Sequence, residues 1–313
     1  MTQSLLEIQG LTKAFGQQAV LRGVDLSIEP GMHVGLLGNN GQGKTTLIKL
    51  ILGLLRPDSG TVSLNNQPVG FPRNREQKRN LGYLPEAVNF YPNLTGWDTL
   101  VFLAKLKGAN TDEVSGLLEL VGLTSAARTE VGNYSKGMRQ RLGLAQALLG
   151  GPSMLLLDEP TNGLDPEGIR EFYAILEQLQ TRKVAILTAS HLLAEIEPRL
   201  DRIVLLQDGR FGQQGTVREL VEQAKLPVRI RVVLQKPQGT LTQKLESMGA
   251  TPSPNGHPHA YQVTCTENEK ISVLDDLLKH RKNIEAISVR EPGLEEVFHH
   301  YQTGGAVPEE DKR

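Results

Sequence analysis

The sequence predicts an α/β fold built on a parallel sheet around a phosphate-binding loop, followed by a small α+β domain. Residues 38 to 45 read Gly-Asn-Asn-Gly-Gln-Gly-Lys-Thr and fit the pattern Gly-x4-Gly-Lys-Thr. A strand-like run, His33 to Leu37, precedes that loop, and an apolar-periodic helix carrying Thr46, Leu47, Leu50 and Ile51 follows it. A second apolar run, Met154 to Leu157, ends in Asp158 and Glu159, as a buried parallel strand does when its tip enters an active site. Two adjacent carboxylates at a strand exit are not explained by burial.

The chemistry of the loop is specific. Its glycines allow backbone angles that a Cβ would oppose and let phosphate approach the main chain closely. The backbone N–H groups of Gly38, Asn39, Asn40, Gly41, Gln42 and Gly43 can wrap the anion, and the following helix aims its positive end at it. Lys44 can place its ammonium on the β- and γ-phosphates, Thr45 offers a hydroxyl to Mg²⁺, and Thr46 opens the helix. These residue types in this order bind a nucleoside triphosphate.

Composition bounds the rest. A chain of 313 residues accommodates one large domain and one small one. A formal charge of −1 argues against binding nucleic acid through bulk charge. The single cysteine, Cys265, excludes an internal disulfide framework and fits a reducing compartment. No apolar run approaches the ~18 residues that span a bilayer. Met1 to Ser4 show neither the basic nor the apolar region of a signal peptide, so a soluble, cytoplasmic chain is expected.

In chain order, Leu6 to Gln9 and Val24 to Ile28 alternate as half-buried strands. The turn between them presents Phe15, an aromatic ring that can stack on adenine. Thr61 to Leu64 reads as a strand, residues 71 to 80 as a basic surface loop, and Leu81 to Glu86 as a short strand ending at an acid. Thr95 to Leu106 and Thr111 to Val121 read as helices, the second with Thr111 as its N-cap. Tyr134 to Arg141 opens a helix with apolar positions at Leu142, Ala145 and Leu148 or Leu149, and Ser135 and Gly137 at its start make a second anion cradle. Asn162 to Asp165 form a turn, and Pro166 begins a helix to about Gln180. Val184 to Leu187 is a buried strand that delivers His191 beside the phosphate site. Ile203 to Leu206 with Asp208-Gly209 reads as a hairpin, and the helix from Thr216 to Lys225 closes the first domain. Beyond Leu226, strands at 228–234, 261–264 and 284–289 alternate with helices at 241–248, 271–278 and 294–301, an α+β pattern of the split βαβ kind. The expected organisation is a nucleotide-binding domain at 1–225, the α+β domain at 226–303 and a polar, disordered tail at 304–313.

Taken together, residues 1 to about 222 resemble the ATP-binding cassette (ABC) ATPases, whose nucleotide-binding domain adds antiparallel β and helical subdomains to a P-loop core. The matches are Phe15, the loop at 38–45, the signature Ser135-Lys136-Gly137-Met138-Arg139-Gln140, the acids at 158–159, Gly163-Leu164-Asp165, and His191. The resemblance implies an ATPase that uses ATP and Mg²⁺, with Glu159 preparing the attacking water and His191 on the γ-phosphate. Mg²⁺ would be held by Thr45, Asp158 and Glu86. Ser135 and Gly137 would close on the γ-phosphate of ATP bound to a second copy in a head-to-tail homodimer, because one chain carries one set of motifs, and Gln140 and Asp165 would also contribute to nucleotide binding. The family commonly has Gln where this chain has Glu86; a carboxylate there can ligate a cation but cannot donate, so altered coupling is expected rather than a dead site.

A narrower resemblance, carried by residues 82–86, 90–92, 134–149, 226–231 and 294–298, is to the ATPases of Nos transporters, which support copper-site maturation of periplasmic nitrous oxide reductase. It implies an integral membrane permease as partner, a periplasmic accessory protein reached through it, and a peripheral place on the cytoplasmic face of the inner membrane. A drug or ion exporter ATPase of the same architecture is the alternative. A soluble ABC protein acting on ribosomes or DNA is disfavoured, since such proteins carry two cassettes, a coiled coil or zinc cysteines, and no nucleic-acid partner is expected. His257, His259, His299 and His300 are expected to be solvated side chains rather than copper ligands, as no cysteine or carboxylate completes a set around them.

Overall fold

Apolar–polar alternation makes β1 (Leu6–Phe15) and β2 (Gln18–Ile28) a long antiparallel pair. Leu6, Ile8, Leu11, Leu21, Val24, Leu26 and Ile28 turn inward from it. With β4 (Ser59–Leu64) and β5 (Gln67–Pro68) they form an antiparallel sheet of order β2-β1-β4-β5. This computed structural model describes residues 4–70, 77, 79–236, 240–252 and 259–303. The expected loop at 71–80 falls mostly outside them, and the tail at 304–313 and His257 wholly so.

The second sheet positions the site. It runs β10-β9-β3-β8-β7-β6, with β3 (His33–Leu37), β6 (Leu81–Leu84), β7 (Met154–Asp158), β8 (Ala185–Ser190), β9 (Arg202–Gln207) and β10 (Arg210–Gly215). All contacts are parallel except β9 with the edge strand β10. Strands β3, β7 and β8 are buried throughout, which explains their continuous apolar runs. Register sets Leu37 opposite Ser190 and Asp158 opposite Ala189, so the phosphate loop, the paired acids and His191 all leave the same carboxyl-terminal edge.

Helix α1 (Lys44–Ile51) follows the loop and buries Leu47, Ile48, Leu50 and Ile51. Three helices form the segment between β6 and β7: α2 (Gly96–Lys107), capped by Thr95 on the Asp98 amide, α3 (Glu113–Leu120) and α4 (Lys136–Leu148). Thr111 does not cap α3. Asn110 accepts from the Asp112 amide at 3.0 Å, and that turn delays the helix until Glu113. Helix α5 (Pro166–Thr181) begins on Pro166 and buries Phe172, Tyr173, Ile175, Leu176 and Leu179; α6 (Leu193–Ile196) is one short turn after His191.

The chain divides into Met1–Thr216 and Val217–Arg313. The expected boundary at 225/226 therefore moves: α7 (Val217–Ala224) buries Leu220 and packs on the last helix, α10 (Leu294–Gln302). The second unit continues through β11 (Val228–Leu234), α8 (Thr240–Ser247), β12 (Thr251–Pro252), β13 (Ala260–Cys265), α9 (Lys270–Leu278) and β14 (Ile284–Arg290). Its antiparallel sheet, ordered β12-β13-β11-β14, is the split βαβ arrangement that the alternation predicts. Val228, Ile230, Val232, Leu241, Leu245, Val263 and Leu277 fill its separate core. Among the described residues, no helix is long and apolar enough to cross a membrane.

Candidate functional site

An open cleft of about 430 Å³ lies at the carboxyl-terminal edge of the parallel sheet, lined by Asn40, Gly41, Gly43, Lys44, Thr45, Thr46, Glu86, Asp158, Glu159 and His191, with Phe15 at its mouth. The loop owes its shape to Gly41 and Gly43, whose φ angles are +84° and +107°. Gly38 is required by proximity, since a methyl group there would stand 2.5 Å from the Leu206 carbonyl oxygen. Helix α1 starts at Lys44 with no side-chain cap and no acid in its first turn, leaving its amide end to attract an anion. Phe15 is 48 % exposed, with the Lys13 ammonium 5.5 Å from its ring centroid, so an aromatic face is open to stacking at the cleft.

Lys44 is buried, and its ammonium donates to the carbonyls of Gly38 at 2.6 Å and Asn39 at 3.4 Å. It also lies 3.6 Å from Glu159 Oε1, close enough for charge attraction but too far for a hydrogen bond. The other Glu159 oxygen is held: Oε2 lies 2.8 Å from His191 Nδ1 and accepts the His191 amide at 3.3 Å. Oε1 has no hydrogen-bond partner among the described residues, although it is buried. The backbone of Glu159 is left-handed, at φ +47°, which disfavours any residue with a Cβ.

Thr45 Oγ1 donates to Asp158 Oδ2 at 2.8 Å, bringing a hydroxyl and a carboxylate together. Burial raises the Asp158 carboxyl above its usual range, with Glu159 and Glu86 adding repulsion, against the Thr45 hydrogen bond and the Lys44 charge. Burial, with the charges of Asp158 and Glu86 adding to it, pushes the Tyr83 hydroxyl up to about 12. Asp158, Glu159 and Glu86 thus concentrate negative charge on oxygen donors, a setting that suits a hard divalent cation. Among the described residues, no group of three His, Cys, Asp or Glu could hold a metal alone, so Mg²⁺ here would complete its shell from phosphate and water.

Some expected site residues lie elsewhere. Gln42 turns outward and accepts the Asp208 amide at 2.7 Å, tying the loop to the β9–β10 hairpin. Gly38 and Asn39 support Lys44 rather than line the cleft. Ser135 caps α4 by accepting the Met138 amide at 3.2 Å, and Asp165 caps α5 by accepting from Gly168 at 2.9 Å. Gln140 is buried on the Pro160 carbonyl. None of these, nor Gly137, lines the cleft of its own chain.

Sequence reasoning missed two cleft residues. Val20, on β2, supports the loop from the side, where a methyl on Gly43 would meet it at 3.0 Å. Asn162 donates to Glu86 Oε1 at 3.3 Å across the cleft. Strand β2 starts earlier than the alternation at 24–28 suggests, pairing back to Gln18 opposite Phe15, and this extension brings Val20 to the cleft.

A strand, a glycine loop, a helix opened by lysine, and a second parallel strand, two places along the sheet, that leads into two acids define a P-loop nucleoside triphosphatase. The family model described as ABC transporter matches residues 21–162. The uncharacterized ABC transporter ATP-binding protein YdbJ of Bacillus subtilis is 43% identical over 225 residues, covering 69% of this chain and 72% of its own. The linearmycin resistance ATP-binding protein LnrL of the same species is 28% identical over 302 residues, covering 94% and 97%. A solved ATP-binding subunit of an ABC transporter superposes with a TM-score of 0.64 at 32% identity, over 70% of this chain and 93% of that one. The chain belongs to the ABC transporter family of ATP-binding proteins, and it is an ATPase of the kind coupled to transport.

Proposed function

We propose that this chain is the motor of an ABC transport system, working as a head-to-tail homodimer on a separate membrane permease, at the cytoplasmic face of the membrane. One observation carries the dimer: Ser135 and Gly137 open a helix with anion-binding character, yet neither lines the cleft that holds Lys44 and Glu159. The family resemblance makes their ligand the nucleotide of a second copy, a reading that their place outside the cleft supports.

In this reading ATP enters with its base over Phe15 and its phosphates in the loop. Lys44 leaves its own carbonyls for the β- and γ-phosphates, and Thr45, Asp158 and Glu86 would hold Mg²⁺, which neutralises phosphate charge when bound. Glu159 Oε1, buried and without a hydrogen-bond partner among the described residues, accepts a proton from water as that water attacks the γ-phosphorus. The bond from phosphorus to the bridging oxygen breaks, and ADP and phosphate leave. His191 fixes Glu159 through Oε2 and stands beside the γ-phosphate.

For the cargo system, the resemblance to Nos-type ATPases favours supply of copper or sulfur to nitrous oxide reductase, with a periplasmic accessory protein beyond the permease. Two of its segments meet in the second unit, where Leu226, Pro227 and Arg229 share a small groove with Glu296. Drug export is the second reading, favoured by the match to LnrL along nearly the whole chain. Replacing the protein by its Glu159→Gln variant in a cell that makes nitrous oxide reductase separates them. The first reading gives reductase lacking copper; the second gives loaded reductase in a drug-sensitive cell. Loaded reductase with unchanged drug tolerance would reject both cargoes.

A further inference from the structure

We propose that Gln140 is a positioning residue for the catalytic turn of its own chain, holding Glu159 in place through the carbonyl of Pro160. This rests on the assignment of Glu159 as the base. The side chain of Gln140 is 6 % exposed, and its Nε2 donates to Pro160 O at 2.8 Å. Pro160 follows directly on Glu159, whose φ of +47° is a left-handed conformation that a residue with a Cβ keeps only when its surroundings impose it.

Helix α4 touches the same turn twice more. The Lys136 ammonium lies over Gly163, where a methyl group would stand 2.1 Å from it, and Leu164 Cδ2 sits 3.6 Å from where a Gly137 methyl would be. On the opposite side, the Glu159 amide donates to Ala189 O at 2.9 Å, and Thr161 Oγ1 donates to Glu195 Oε2 at 3.3 Å. The turn is clamped between α4 and the segment that carries His191. Among these contacts, Gln140 supplies the buried hydrogen bond nearest Glu159 on the α4 side.

The consequence runs along one helix. Its first turn, at Ser135 and Gly137, faces outward, while Gln140, one turn on, fixes the base of its own cleft. A displacement of α4 would therefore move Glu159 Oε1 relative to the attacking water, and errors of about 1 Å in such groups cost around 10²-fold in rate.

Gln140→Met tests this, being similar in size and unable to donate; Gln140→Glu, whose carboxylate cannot donate either, serves if the first variant does not fold. Steady-state hydrolysis of Mg·ATP and sedimentation in ATP are measured on the full chain. The expected result is kcat lowered at least tenfold with KM within twofold of the parent, and an ATP-dependent dimer that accumulates as it does in Glu159→Gln. Unchanged kcat overturns the proposal, as does a rise in KM with loss of the ATP-dependent dimer, since the amide then serves the partner's nucleotide. If Glu159→Gln itself forms no dimer in ATP, the dimer reading fails separately, and the split between kcat and KM alone decides the role of Gln140.

Discussion

Lowering the pH from 7 to 5 should destabilise the Met1–Thr216 unit through one imidazole at the root of the strand that delivers the phosphate loop. His33 is 1 % exposed and its Nε2 is hydrogen-bonded to Thr188 Oγ1 at 2.8 Å. Burial lowers its pKa from 6.5 to about 4, with the nearby Arg199 charge adding to the effect and a hydrogen bond to the Arg199 backbone opposing it. Because the folded state prefers the neutral ring, the contribution is complete above pH 6.5 and is lost as pH falls toward 4, where the unfolded chain binds the extra proton. With those two values, linkage gives a loss of about 2 kcal/mol between pH 7 and pH 5, and about 3 kcal/mol by pH 4 and below. Denaturant titrations followed by Trp97, the lone tryptophan, report this unit. Gln at position 33 can still bond Thr188 but does not titrate. His33→Gln should therefore lose about 2 kcal/mol less than the parent between pH 7 and 5, whatever its own stability at pH 7. Equal pH dependence in the two proteins would refute the reasoning.

Other outcomes follow from the same geometry. Glu86→Gln should keep most basal hydrolysis, because Gln can still accept from Asn162, and should alter stimulation by the membrane subunit; loss of basal turnover would give that carboxylate a direct chemical role. A chain ending at Thr216 should fold and bind ATP, since the cleft lies wholly before that point, and should lose pairing or partner docking; an unchanged oligomeric state and unchanged permease binding would make the second unit a passive cap. Mixed Lys44→Ala and Ser135→Arg chains should form one ATP-filled interface that neither forms alone, detected by sedimentation in ATP. Failure of the mixture would contradict composite sites.

What could be read in the sequence was what spacing along the chain dictates. The loop at 38–45 is contiguous, so its glycines and Lys44 declared their backbone requirements before any folding was known. Buried parallel strands announced themselves as apolar runs, and the acids at 158–159 stood out because burial does not account for them. The α+β topology of the second unit also followed from alternation. Long-range packing was hidden. Helix α7 has an apolar stripe that would serve either unit, and only its packing on α10 assigns it to the second. Gln140 sits in a motif that points outward by analogy, while its side chain is turned inward by the helix rotation between Gly137 and Leu142. The left-handed backbone of Glu159 was not read from the sequence, and the residues that bond this turn, Ala189 to the Glu159 amide and Gln140 to the Pro160 carbonyl, lie far from it along the chain.

The central claim is that Glu159 Oε1, which lacks a hydrogen-bond partner among the described residues, activates water for ATP hydrolysis in this cleft. The most direct test compares Glu159→Gln with the parent for binding and hydrolysis of Mg·ATP, with sedimentation in ATP alongside. The account predicts parent-like affinity, hydrolysis slowed by at least 10²-fold, and accumulation of an ATP-loaded dimer. Parent-like turnover in Glu159→Gln would remove that residue from the role of base and contradict the account.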